Sequence, residues 1–442
     1  MKLPESVIRP VKKICGGIHI NHHKNTAECE TVAMPAPEKV YLSMSQHIGA
    51  PASPCVEKGA EVFVGTLIGE TTAAVCSPVY SSVSGTVDDI ITKTVGGRPT
   101  QFVVISSDGN MTPDPSIKPF EVKSREDLAE AAKKCGLVGL GGAGFPTHIK
   151  LSPPADCEID TLVINGAECE PYITADYREC MENSEDIIEG VYLVKKIMGI
   201  KNAVIGIESN KPEAIEKLSK LAAEHKEADG SVKVMCLPST YPQGAEKVII
   251  YSATGRKLPG GALPSDIGCI VMNITSIATL YRFIKTGMPL VRKRLTVDGS
   301  GIAEGKNVFV PLGTPVKNVI DFVGETDEDA ERVISGGLMM GAPIGDLETV
   351  VEKRNNAILV MRPKRETVTT NCIRCGRCIA GCPMNLAPRD VDAAYSAGLK
   401  EQFAELNVNY CMECGSCSYV CPAKRPLTEV MRIAKQELRR KK

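Results

Sequence analysis

The sequence predicts a multidomain protein of mixed α/β and β architecture, on three observations. The first 110 residues hold short alternating apolar runs broken by Gly, Pro and Ser, the signature of strands. Residues 123–287 alternate strand-like and helix-like segments, as a three-layer α/β unit with a mostly parallel sheet does. The C-terminal part repeats one cysteine spacing twice. At 442 residues the chain has room for roughly three domains of about 150 residues.

Taken in order, residues 1–110 form a β unit, with VEKGAEVFVGTLIGE (56–70) and SPVYSSVSGTVDDI (77–90) as its clearest strand pairs. MTPDPSIKPFEV (111–122) is a Pro-rich linker. The α/β unit (123–287) opens with a helix capped by Ser124 and Asp127, a capping-box pattern. Its expected strands are IDTLVIN (159–165), NAVIGIES (202–209), SVKVMCL (231–237) and IGCIVMN (267–273). Helices are expected over 184–199, 211–226, 245–254 and 276–287, the second with Pro in its first turn. Residues 288–362 read as a small α+β module, with PVKNVIDFVG as its helix and a β-grasp (SLBB-like) arrangement as the expectation. A cysteine module follows at 366–426. The tail (427–442) sets Leu427, Val430, Met431, Ala434 and Leu438 on one helical face. Its basic end suits anionic lipid, but a helix packing on the cysteine module is the favoured reading.

The cysteine ruler is Cys372, Cys375, Cys378, Cys382-Pro383, repeated as Cys411, Cys414, Cys417, Cys421-Pro422. C-x2-C-x2-C-x3-C-P is the bacterial two-cluster ferredoxin spacing, in which three thiolates hold one [4Fe–4S] cube and the fourth crosses to the other. Cys372, Cys375, Cys378 and Cys421 are therefore assigned to one cluster, and Cys411, Cys414, Cys417 and Cys382 to the other. Zinc is the rival, since C-x2-C pairs also make zinc sites. Zinc spacing, however, rarely gives two runs of four closed by Cys-Pro. A disulfide framework fits least in so long a chain without a secretory signal.

Composition excludes several classes. The net charge of −1 gives no basic field for nucleic acid, and a chain without Trp and with few aromatics lacks a base-stacking surface. No apolar run approaches the roughly 20 residues that span a bilayer. MKLPESVIRPVKK lacks the apolar core of a signal peptide. Eighteen cysteines suit a reducing compartment, and those outside the ruler are expected to be small buried apolar residues.

A second chemical feature is LVGLGGAGFPTHIK (137–150). It is not a Rossmann fingerprint, because a helix precedes it and a strand follows. Gly139, Gly141, Gly142 and Gly144 let backbone N–H groups crowd an anion without Cβ obstruction, and Lys150 adds a point charge. On the loop alone, a glycine-rich connector is the bland alternative. The next strand ends in VINGAECEPY (163–172), which puts Asn165, Glu168 and Glu170 at the carboxyl end of a parallel strand, where open α/β sheets bind ligands. Asn offers both donor and acceptor to a flavin edge.

Several of these segments carry resemblances. The order of 56–90 resembles biotinyl/lipoyl barrel-sandwich domains; the hairpin tip TTAAVCSPVY has no lysine to modify, which implies a docking module rather than a swinging arm. GLGGAGFPTHIK, INGAECEP, YPQGAEK (241–247) and VMNITS (271–276) resemble the NADH- and FMN-binding flavoprotein subunit of respiratory complex I. With the N-terminal barrel, the double ferredoxin module and the opening GGIHINHHK (16–24), the ordered set resembles the RnfC family, which belongs to the ion-pumping ferredoxin:NAD+ oxidoreductases called Rnf complexes.

That resemblance implies non-covalent FMN held by the glycine loop with Lys150, Asn165, Glu168 and Asn273. It implies NAD(H) near Phe145, contacted by Glu170 and Glu246, with Gly244 beside it. Leu140 and Ala245 stand where the complex I subunit has arginine and glutamate, so those contacts do not carry over. It further implies other Rnf subunits as partners, an iron–sulfur subunit and membrane subunits among them, with ferredoxin reached indirectly. The place implied is peripheral, on the cytoplasmic side of the membrane. A soluble cobalamin reductase-like flavoprotein, or an iron–sulfur carrier without nucleotide, are the alternatives. His19, His22 and His23 have no carboxylate or cysteine in ligand register, and a loop or interdomain role is expected for them.

Overall fold

The computed structural model describes residues 7–364 and 368–440. The first six residues, the last two, and residues 366–367 at the start of the expected cysteine module lie outside the described residues.

The central layer is a five-stranded parallel sheet in the order Val7–Ile8, Val232–Leu237, Asn202–Glu208, Thr161–Gly166, Cys269–Asn273. Strands buried on both faces read as near-continuous apolar runs, and Leu162, Val163 and Ile164 are fully enclosed. Helices cover the sheet. Arg125–Lys134 has the expected capping box between Ser124 and Asp127. Ser184–Met198 stops where Gly199 turns left-handed. Ile274–Thr286 is capped by Asn273, whose side chain accepts from Thr275 and Ser276 N–H. One helix, Ala175–Glu182, was not expected from sequence.

The β-rich head splits into two small antiparallel sheets. One holds Lys39–Ser43, Arg98–Ser107, Gly85–Val95 and Glu61–Val62; the other holds Ser53–Pro54, Leu67–Glu70 and Val79–Tyr80. Two N-terminal strands leave this unit. Val7–Ile8 edges the central parallel sheet, and Thr31–Ala33 pairs with Lys306–Pro311. The supposed linker 111–122 is also tied down: Thr112 O accepts Val64 N–H, and Phe120 N–H donates to Ile284 O.

Within 292–361 the strands run second, first, fifth, third, fourth, with Lys306–Pro311 first at one side and Ala342–Ile344 at the other. Arg292–Asp298 and Ala357–Met361 are the parallel central pair, and Val316–Val323 is the helix. That is the β-grasp order. A buried guanidinium clamps this module to the helix Ala175–Glu182: Arg294 Nη1 lies 2.6 Å from Glu179 Oε2, and Nη2 lies 2.9 Å from Glu182 Oε2. The C-terminal helix Leu427–Arg440 buries Leu427, Val430, Met431 and Ala434 against the cysteine module, so its apolar face is spent on packing.

Candidate functional site: two thiol-lined cavities and a glycine loop

The cysteines partition as the spacing predicts. One cavity is lined by Cys372, Cys375, Cys378 and Cys421, with Arg374, Arg389 and Arg425. A second is lined by Cys382, Cys411, Cys414 and Cys417, with Met384, Met412 and Met431. In each, the fourth thiol comes from the other repeat. Left-handed residues stand at matching places in the two repeats, Arg374 with Glu413 and Gly376 with Gly415, and this curls each loop around its cavity.

The donor chemistry fits [4Fe–4S] cubes. Backbone N–H groups of Arg374, Leu386 and Glu413 point at the sulfurs of Cys372, Cys382 and Cys411 at 3.3–3.4 Å, and such bonds tune cluster potential. Burial pushes the Cys411 thiol up to about 11 and the Cys417 thiol up to about 12. Iron supplies the positive charge that lets thiols so placed ionise. Among the described residues no group of three or more His, Cys, Asp or Glu converges closely enough for a single ion; the sulfurs ring a space instead.

The glycine loop lies over the carboxyl ends of the parallel strands. Leu140 N–H donates to Ser276 Oγ at 3.3 Å, which fastens the loop to the first turn of Ile274–Thr286. Gly141 sits against the cap residue, and a Cβ there would lie 2.6 Å from Asn273 Nδ2. Gly142 faces open space, Gly144 is left-handed, and Phe145 is half-buried beside them. Two helix N-termini, at Glu246 and Ile274, open on the same edge of the sheet. The helix at Glu246 has no side-chain cap, and free backbone N–H groups at a helix N-terminus suit a phosphate of the kind that FMN carries.

The remaining expected residues are placed as follows. Lys150 Nζ donates to Val271 O at 3.1 Å and lies 3.4 Å from Glu246 Oε2, so these two are brought together. Asn165 Nδ2 donates to Gly244 O at 2.8 Å, while its Oδ1 accepts Ala167 N–H. A Cβ on Gly244 would meet Ala167 O, so only glycine fits this close crossing. Glu168 is turned inward: its carboxylate accepts the N–H groups of Asp176 and Tyr177, capping the unexpected helix. Burial pushes Glu168 up and its neighbour Lys24 down. Glu170 lies farther along, accepting Met339 N–H at 2.9 Å and Tyr241 O–H at 3.3 Å; burial pushes it up as well.

Sequence reasoning missed three residues. Asp176 accepts from Asn273 Nδ2 at 2.8 Å and from Thr275 Oγ1 at 2.6 Å, and so sets the cap's orientation. Ser276 anchors the loop. Tyr241 donates to Cys414 O at 2.7 Å and so joins Glu170 to a cluster ligand. The last two lay within quoted motifs, but nothing in the motifs shows what they touch.

The strap 16–24 ties the cysteine module to the α/β unit. Gly17 N–H donates to Gly381 O, Ile18 pairs with Tyr241, and Lys24 Nζ donates to the carbonyls of Glu168 and Glu170 at 2.9 and 2.8 Å. Gly16 is left-handed, and a Cβ there would lie 2.5 Å from Cys382 O. His23 stacks on Tyr172 at 4.9 Å.

Comparison with known proteins matches three segments of the chain. Residues 12–110 match the RnfC barrel sandwich hybrid domain, 132–282 the Nuo51 FMN-binding domain of complex I type, and 365–422 a 4Fe-4S dicluster domain. The chain is 40% identical over 442 residues to the RnfC-type component of the proton-translocating ferredoxin:NAD(+) oxidoreductase complex of Clostridium ljungdahlii, covering 97% of this chain and 94% of that one. It is 41% identical to the Na(+)-translocating counterpart of Acetobacterium woodii, covering 96% of each. It is 36% identical to the corresponding component of the ion-translocating oxidoreductase complex of Rhodobacter capsulatus, covering 99% of this chain and 86% of that one. No described helix is long and apolar enough to cross a membrane. With its FMN-binding and 4Fe–4S dicluster domains in this order, the chain belongs to the RnfC family of the ion-translocating ferredoxin:NAD+ oxidoreductase complexes.

Proposed function

We propose that this chain is the NAD(H)-binding electron-transfer subunit of a membrane-bound ferredoxin:NAD+ oxidoreductase coupled to Na+ or H+ movement. The observation that carries the reading is the bridge Glu170–Tyr241–Cys414: the Tyr241 hydroxyl donates to Cys414 O at 2.7 Å and lies 3.3 Å from Glu170 Oε1, so it connects the nucleotide side of the glycine-loop site to one thiol-lined cavity. FMN, when bound, supplies a ring that exchanges a hydride with NAD(H) and single electrons with iron–sulfur cubes, which neither neighbour can do for the other.

The residues supply placement. Gly139, Gly141, Gly142 and Gly144, beside Asn273, hold the phosphate end of FMN. Lys150, Asn165 and the segment shaped by Glu168 define its flanks. Phe145 offers a face for the nicotinamide. Glu246 and Glu170 are the NAD(H) contacts, and Gly244 permits their close approach. No side chain acts as acid or base. The partners in this reading are the iron–sulfur and membrane subunits of the complex, with ferredoxin reached through them, and the chain lies peripherally on the cytoplasmic face.

Glu246→Ala tests the assignment. NADH binding weakens, read as a raised KM for NADH-driven ferricyanide reduction, while flavin absorbance persists. Loss of flavin with unchanged NADH affinity would show that Glu246 serves the other ligand.

A further inference from the structure

The two cavities share a cysteine spacing but not a setting. The cavity of Cys382, Cys411, Cys414 and Cys417 lies against the flavin-binding body. Tyr241 reaches Cys414 O, Gly16 abuts Cys382 O, Gly415 lies against Met339, and Gly260 lies against Tyr410. Ile18, Cys169, Tyr241, Met339 and Cys414 share one apolar cluster. The cavity of Cys372, Cys375, Cys378 and Cys421 lies at the surface, with Cys372 and Cys375 themselves exposed.

The rim of the outer cavity is basic. Arg425 is held by Asp392, and Arg389 pairs with Asp390. Arg374 and Arg377 are exposed and carry the charge of the face. The equivalent of Arg374 in the inner repeat is Glu413, which is neutralised by Lys435 and Arg432. Beside Arg374 stands Ile373, 67% exposed, and Val368 on the preceding stretch of chain is 81% exposed. An apolar centre within a charged rim is the anatomy of a docking patch.

We propose that the cube held by Cys372, Cys375, Cys378 and Cys421 is the outer relay of this chain, and that the Arg374–Arg377 face docks an acidic surface of a one-electron carrier protein. The proposal rests on the function read above. Each encounter moves one electron: the carrier's centre is oxidised by one and the outer cube reduced by one. The inner cube then passes the electron toward the flavin site. Two encounters, one NAD+ and one proton from solvent yield one NADH.

The test uses the full holo-chain under anaerobic conditions, with a small acidic two-cluster ferredoxin, chemically reduced, as a probe that stands in for the iron–sulfur subunit. NAD+ reduction by this probe is compared with NADH-driven ferricyanide reduction, which draws on the flavin directly. In the double variant Arg374→Glu/Arg377→Glu the ferredoxin-linked rate falls about tenfold or more at low salt, as loss of steering predicts. Arg374→Lys/Arg377→Lys stays near the unsubstituted rate, each ferredoxin-linked rate being normalised to the iron content and the ferricyanide reduction of the same preparation. In the unsubstituted protein the ferredoxin-linked rate falls steeply with ionic strength, a result that stands even if the charge-reversed variant loses iron. Equal ferredoxin-linked rates in all three proteins, a rate indifferent to salt, or no ferredoxin-linked rate beside normal ferricyanide reduction would overturn the docking proposal. Absence of ferricyanide reduction from the unsubstituted protein would overturn the functional reading beneath it.

Discussion

In the proposed reading, the cysteine module and the glycine-loop site bind their cofactors by opposite strategies. In the module, the ligands are side chains, and each set of four lines an open cavity. At the glycine loop, the polar side chains are already engaged by protein: Asn165 with Gly244, Glu168 with the helix at Asp176, and Asn273 with Asp176. What is left for the ligand there is backbone and helix termini. The difference teaches where each site is vulnerable. A cluster is lost by removing a ligand, whereas the flavin site is lost by adding an atom.

The largest expected effect is on the first half of that contrast. Cys375→Ser removes about four of the eight irons by leaving one cube a ligand short, while FMN content stays the same. Retention of all eight irons would show the ligand partition to be wrong. Next comes Gly141→Val. Its Cβ falls 2.6 Å from Asn273 Nδ2, and FMN affinity drops about a hundredfold, as an overpacked contact costing about 2–3 kcal/mol implies. Iron content is unaffected. Unchanged flavin binding in a fluorescence titration would put the ligand elsewhere.

A smaller effect joins the two regions. Tyr241→Phe removes the hydroxyl that donates to Cys414 O and lies 3.3 Å from Glu170 Oε1. Both cofactors remain, stability falls by about 1–2 kcal/mol for the unpaired acceptors, and NADH-driven cluster reduction slows while flavin reduction does not. Equal rates for both steps would remove Tyr241 from the route.

The smallest effect is on pH. His47 lies beside the loop, since Ile48 N–H donates to Gly144 O and Ser77 N–H donates to His47 Nε2. Burial lowers His47 from 6.5 to about 4. A depressed pKa means that its contribution to stability is present above pH 6.5 and is lost as the pH falls through about 4. Flavin retention therefore weakens across that window, and in His47→Asn the dependence flattens. An identical acid profile in the variant would assign the loss to other groups.

The cysteine sites were legible because their ligands are set by spacing within two short loops. The capped helix after Ser124 and the four long strands of the parallel sheet were legible from local pattern. The helix Ala175–Glu182 was not, since ADYRECME is short and polar and gains its N-terminal partner from Glu168. Arg332–Ser335 and Ala342–Ile344 are too brief to show a period. The inward turn of Glu168 follows from the N–H groups of Asp176 and Tyr177, on a helix the pattern did not show, and that of Glu170 from Met339, which is remote in sequence. The strap 16–24 shows only two adjacent glycines, and what they approach becomes visible only in the fold.

The most direct measurement is iron, sulfide and flavin analysis of the anaerobically purified, reconstituted chain, followed by an NADH titration in the visible spectrum. The account predicts about eight irons and eight sulfides for two cubes and one FMN, with NADH bleaching the flavin band near about 450 nm before the broader cluster absorbance declines. A reconstituted chain that carries its iron but takes up no flavin and does not respond to NADH would contradict it.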